Sequence, residues 1–145
     1  MKLSPHFTLE EAMTSSTAIR LGINNTPPQE IIDRMILAAE GMEKIRTLLC
    51  QPIHIDSWYR CPQLNAAVGG AKTSAHMEGW AVDFICTPYG TPLDIIRMIM
   101  SSPIKFDQLI YEGRWVHVSF KETLRQQVLS AHFTSAGTTY VPFKE

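Results

Sequence analysis

Two short stretches concentrate residue types able to do chemistry. The first is Ser74-Ala75-His76-Met77-Glu78-Gly79-Trp80-Ala81-Val82-Asp83, and the second is Trp115-Val116-His117. Imidazole nitrogens and a carboxylate oxygen are donors that zinc takes, and a catalytic zinc keeps three protein ligands with a fourth position for water. His76, Asp83 and His117 would supply those three. An ion held this way lowers the pKa of its water toward neutrality. A carboxylate nearby can take that proton and pass it to a leaving amine, and Glu112 is the candidate. A guanidinium suits a substrate carboxylate or a polarised carbonyl. Arg60, in Trp58-Tyr59-Arg60-Cys61-Pro62, directly follows an expected strand and could project into the same cleft.

The elements that must position these groups are legible from periodicity and punctuation. Thr8-Leu9-Glu10-Glu11 is a capping box that opens a short helix to about Thr14. Asn24 to Pro28 is a loop leading into a long helix from Gln29 to Leu49. There Ile31, Met35, Ala38, Met42, Ile45 and Leu49 form one apolar stripe. Gln51-Pro52 ends it. Ile53 to Trp58 reads as a strand, followed by a short helix with Pro62 at its first position and Gly69-Gly70 at its end. Trp80 to Cys86 is a second strand, and Thr91-Pro92 opens a helix through Met100. Phe106 to Glu112 and Arg114 to Phe120 form a hairpin, with Gln127 to His132 and Thr138 to Val141 as final strands. Helices come first and strands dominate later. The fold class expected is α+β, with helices packed on a mostly antiparallel central sheet.

Strand parity tests whether the candidates converge. Val82 and Phe84 enter the core, so Ala81 and Asp83 face the other way. Gly79 lets the chain turn between His76 and the strand. A two-residue Gly113-Arg114 turn of type II′ sets Glu112 opposite Trp115 and Ile110 opposite His117. Glu112, Trp115, His117 and Ser119 then share one face, while Leu109, Tyr111, Val116, Val118 and Phe120 share the core face. A one-residue change in that turn would destroy the convergence.

Composition narrows the alternatives. A chain of 145 residues is one domain, 1–145, by its length. With 45% apolar and 19% charged residues it is an ordinary globular chain. A net charge of −1 gives no electrostatic case for nucleic acid or an anionic membrane as partner. The three cysteines, Cys50, Cys61 and Cys86, form no C-x-x-C pair and read as small buried or half-buried residues. The N-terminal Met1-Lys2-Leu3-Ser4-Pro5-His6 lacks the apolar run of a secretory signal, and no stretch approaches a membrane span. Synthesis in the cytosol is expected, with another route to any substrate outside. His6, His54 and His132 are given no role, and the sequence leaves the oligomeric state open.

The pattern Ser74-x-His76-x-x-Gly79-x-Ala81-x-Asp83 resembles the signature of the zinc D-alanyl-D-alanine carboxypeptidase family, which has the hedgehog/DD-peptidase fold. Trp115-x-His117 resembles the family's second ligand segment. The resemblance implies one catalytic zinc on His76, Asp83 and His117, and a substrate-binding arginine at Arg60. It implies a catalytic carboxylate at Glu112, five residues before His117, where one branch of the family places it. Other branches place it three before, a position held here by Arg114. Ser74 and Trp115 would help hold the substrate or support the ligands. Phe7-Thr8-Leu9-Glu10-Glu11 and Leu64-Asn65-Ala66-Ala67-Val68-Gly69-Gly70 resemble small phage and prophage members. Cys61 stands where that branch usually has serine, and cysteine is a poor helix cap. The activity implied is hydrolysis of peptide bonds in bacterial peptidoglycan, by a carboxypeptidase or an endopeptidase of endolysin type acting at the cell wall. The alternative is a zinc or wall-peptide binding module on the same fold, without turnover.

Overall fold

The capping box at Thr8 forms as the sequence predicts. The Glu11 amide donates to the Thr8 hydroxyl, and the Glu11 carboxylate accepts from the Thr8 amide. It opens helix α1, Leu9–Met13, in a computed structural model that describes residues 1–144. Ahead of it, strands β1 (Lys2–Ser4) and β2 (Phe7–Thr8) make a small antiparallel pair that the sequence reading did not foresee. Helix α2, Ser16–Leu21, was also not foreseen. Ser15 caps its start and Gly22 closes it with a φ of 66°.

The long helix α3 spans Gln29–Leu49, and its apolar stripe is buried as expected. Strand β3 (His54–Ser57) leads through the Arg60 turn into helix α4 (Pro62–Ala67). Strand β4 (Ala81–Ile85) is followed by helix α5 (Pro92–Met100), which has its own capping box at Thr91 and Asp94. Strands β5 (Gln108–Tyr111), β6 (Val116–Ser119), β7 (Gln127–Thr134) and β8 (Gly137–Pro142) complete the chain.

The larger sheet has six strands in the order β3-β4-β6-β5-β7-β8. Every pairing is antiparallel except that of β5 with β7. Core residues on one face of this sheet, Val82, Phe84, Leu109, Val116 and Val118, pack with Met35 and Met42 of α3 and Ile95, Ile96 and Ile99 of α5. The fold is therefore α+β with a mostly antiparallel sheet. No helix among the described residues is long and apolar enough to cross a membrane. The opposite face of the sheet is left for the candidate site.

One expectation about cysteine is corrected. Cys86 is buried and Cys61 half-buried, but Cys50 is exposed. Cys50 closes α3 in the left-handed region, with φ 54°, where the chain leaves the core.

Candidate functional site

Antiparallel pairing puts Asp83 of β4 directly opposite His117 of β6, so the two side chains share a face. His76 arrives from the loop before β4. The Asp83 carboxylate lies between the two imidazoles, with Oδ1 2.9 Å from His117 Nδ1 and Oδ2 3.2 Å from His76 Nε2. The rings stand edge to face with centroids 5.2 Å apart. One donor atom from each of the three residues lies within 4.8 Å of the others. No other group of three or more such residues is found among the described residues.

His76 is almost fully buried, at 2% exposure. Its Nδ1 lies 2.7 Å from the Trp58 carbonyl oxygen. A carbonyl only accepts, so Nδ1 carries a hydrogen and Nε2 is the nitrogen turned to the cluster. That backbone anchor on the far nitrogen is what metal-ligating histidines ordinarily have. Two imidazoles and a carboxylate also match the donors zinc prefers, and three of them leave room for water. The residues present therefore fit a single zinc ion.

Trp58 holds the ligand loop a second time. Its indole N–H donates to the Gly79 carbonyl at 2.9 Å. Gly79 itself has a φ of +84°, and a Cβ there would come within 2.9 Å of Ile31 and Met35 side-chain atoms. Left-handed backbone and contact with α3 both demand glycine. The Ser74 hydroxyl oxygen accepts from the His76 amide at 3.2 Å, so its observed contact is with this loop.

The hairpin register is as the sequence predicts, with Ile110 opposite His117 and Tyr111 opposite Val116. Gly113 has a φ of 81°, and the turn is tightened by an Arg114 amide to Glu112 carbonyl bond of 3.0 Å. The Glu112 amide reaches the Trp115 carbonyl at 3.2 Å. Glu112 thus falls on the site face, where it is 8% exposed. Trp115 donates its indole N–H to Glu112 Oε2 at 3.0 Å, which fixes the carboxylate. Loss of water raises the Glu112 pKa above the ordinary carboxylate range, and the negative charge of Asp83 adds to the rise. A raised carboxyl pKa suits a group that must both accept and donate a proton.

Burial also acts on the Asp83 carboxyl, pushing it up. The charge and hydrogen bonds of His76 and His117 more than offset this and hold Asp83 well below its usual range. Burial lowers His76. It would lower His117 too, but the Asp83 hydrogen bond and the Asp83 and Glu112 charges raise that imidazole.

Arg60 is held by a neighbour that the sequence reading missed. Buried Asn25 donates from its amide nitrogen to the carbonyls of Met13 and Tyr59, at 2.8 and 3.0 Å. Its oxygen accepts from the Cys61 amide at 2.8 Å. The Arg60 turn is therefore gripped on both flanks, and the Arg60 amide donates to the His76 carbonyl at 3.2 Å. Its Nε is buried with no hydrogen-bond partner among the described residues. Burial draws the guanidinium pKa down, opposed by the charges of Asp83 and Glu112. Cys61 does cap α4, its sulfur accepting from the Leu64 amide at 3.4 Å, and it is not part of the donor cluster. A cleft of about 530 Å³ begins at Asp83 and Arg60 and runs past Ser57, Asp56 and His54 to Thr14 and Thr17.

A buried two-histidine, one-aspartate cluster beside a carboxylate and an arginine offers the groups that a metal-dependent hydrolase needs. A family model described as Peptidase M15 matches residues 5–119, and the chain belongs to this family of zinc-dependent metallopeptidases. No curated protein sequence matches the chain.

Proposed function

We propose that the protein hydrolyses peptide bonds in the stem or cross-link peptides of bacterial peptidoglycan, using one zinc ion held by His76, Asp83 and His117. The observation that carries this reading is the convergence of Glu112 and Arg60 on the three-donor cluster from separate elements. Zinc, when bound, supplies an acidified water and polarises a carbonyl. Glu112 accepts a proton at its carboxylate and delivers it to the leaving amine. Trp115 holds Glu112 in place for both transfers. Arg60 binds a substrate carboxylate or the carbonyl oxygen on which charge develops, its buried Nε having no partner among the described residues. Asp83 orients both imidazoles and offsets cationic charge in the pocket.

A structural zinc site would be closed by four protein ligands, whereas the cluster offers three. The competing module without turnover is separated by experiment. Zinc-loaded protein is incubated with purified peptidoglycan fragments and the products are identified by mass. Glu112→Gln should lower turnover by roughly a hundredfold or more while zinc content is kept. A wild-type protein that binds the fragments and never cleaves them would establish the module instead. The products also separate removal of a terminal residue from internal cleavage.

A further inference from the structure

The family match stops at residue 119, and β7 and β8 lie beyond it. The sheet register shows which of their side chains face the site. Ile110 pairs with His117 on one side and with Leu129 on the other, so Leu129 shares the face of the cluster. Alternation carries this face to Ala131 and Phe133, and across β8 to Tyr140, opposite Ala131. A ring contact agrees with the register, since Phe133 lies 6.1 Å from Trp115, centroid to centroid. On the other face, Phe143 meets Tyr111 at 6.3 Å, and both pack against the core. Among the described residues, Phe133 and Tyr140 are the two exposed aromatic side chains, at 58% and 52%. Phe133 stands beside Trp115, and Tyr140 lies on the same face, opposite Ala131.

We propose that Phe133 and Tyr140, with Trp115, form a subsite that receives the sugar carried by a peptidoglycan peptide. The inference rests on the cell-wall reading above. Aromatic rings offer broad apolar faces, and tyrosine adds a polar tip. Stem peptides contribute few flat groups, whereas the pyranose ring attached to them presents a C–H-lined face that lies flat on an aromatic ring. The subsite is continuous with the cluster through Trp115, which touches both Glu112 and Phe133. In keeping with this position, loss of water and the charges of Glu112 and Asp83 raise the Tyr140 phenol pKa.

The test uses the zinc-loaded full chain and two probes, a free stem peptide and the same peptide joined to its amino-sugar disaccharide. Trp58 and Trp80 are buried and Trp115 is half-buried, so tryptophan fluorescence reports binding and product mass reports turnover. The wild-type protein should bind the sugar-linked probe about tenfold more tightly than the free peptide. Phe133→Ala and Tyr140→Ala should erase that preference by raising KM for the sugar-linked probe, with kcat retained. Thr139→Ala, on the opposite face of β8, should leave the preference intact. Equal wild-type affinity for the two probes, with cleavage of both, would sink the subsite and spare the cell-wall reading. Failure to bind or cleave either probe would sink both. A dimer in solution that buries Phe133 and Tyr140 would also overturn the proposal.

Discussion

The strands that carry the cluster and the strands that end the chain are built on opposite terms. Of the five residues of β4, Ala81, Val82 and Phe84 are buried, and β6 is similar, whereas all six residues of β8 are exposed. The donor cluster is held by helices packed behind it and by Trp58, and the Arg60 turn beside it by Asn25. The final hairpin is held mainly by backbone pairing along β5 and by a few contacts such as Tyr111 with Phe143. Buried, over-determined geometry suits groups whose positions must not drift during proton transfer. An exposed surface with few constraints suits the adjustable reading of a substrate.

The contrast predicts a graded series of effects. His117→Ala removes a donor from the buried cluster. Hydrolysis should fall by roughly a thousandfold or more, about 4 kcal/mol of transition-state stabilisation, and zinc content should fall with it. Retained zinc at one ion per chain would refute the three-donor assignment. Gly79→Ala forces a Cβ into Ile31 and Met35 at a positive φ. It should cost about 3 kcal/mol in denaturant unfolding. Asn25→Ala removes three hydrogen bonds, two of them to the Arg60 turn, and should cost about 2 kcal/mol, with a raised KM as the turn loosens. An unchanged KM would mean that Asn25 supports only the fold.

The smallest effect is expected at the joint between the two regions. Buried Asp107, just before β5, accepts from Arg125 Nε at 2.8 Å and Nη2 at 3.0 Å, and so fixes the segment leading into β7. The Arg125 hydrogen bond holds the Asp107 carboxyl below its ordinary range. A depressed folded pKa contributes stability that is fully present above the unfolded value, roughly 4, and is lost as pH falls through the folded value. Arg125→Ala should cost about 1 kcal/mol or less at pH 7, because Arg125 is exposed. The difference from wild type should shrink in acid. Melting curves across pH 2–7 would test this, and a gap that widened at low pH would contradict it.

Much of the cluster was legible in the sequence because its signals are local. The His76 to Asp83 spacing, period-two alternation in β4 and a glycine at the hairpin tip are each set within ten residues. Together they placed Glu112 and His117 on one face. Asn25 and Trp58 were not legible as clamps, since their partners lie far along the chain and only the packed fold brings them close. Helix α2 was missed because it spans six residues and leaves Ile19 and Leu21 exposed, so it has no buried stripe to detect. The parallel pairing of β7 with β5 was not legible either. It is set by how the 121–126 segment returns along the sheet, which no local pattern encodes. Tyr140 then reaches the site face through two registers, each depending on the one before.

Trp58 has a consequence for how the molecule comes apart. One core residue grips the 76–79 segment at both ends, through its backbone carbonyl and its indole N–H. That segment cannot peel open while the tryptophan stays seated, so amide hydrogen exchange there should occur only in molecules that have lost the whole core. The outer strands are free to breathe on their own.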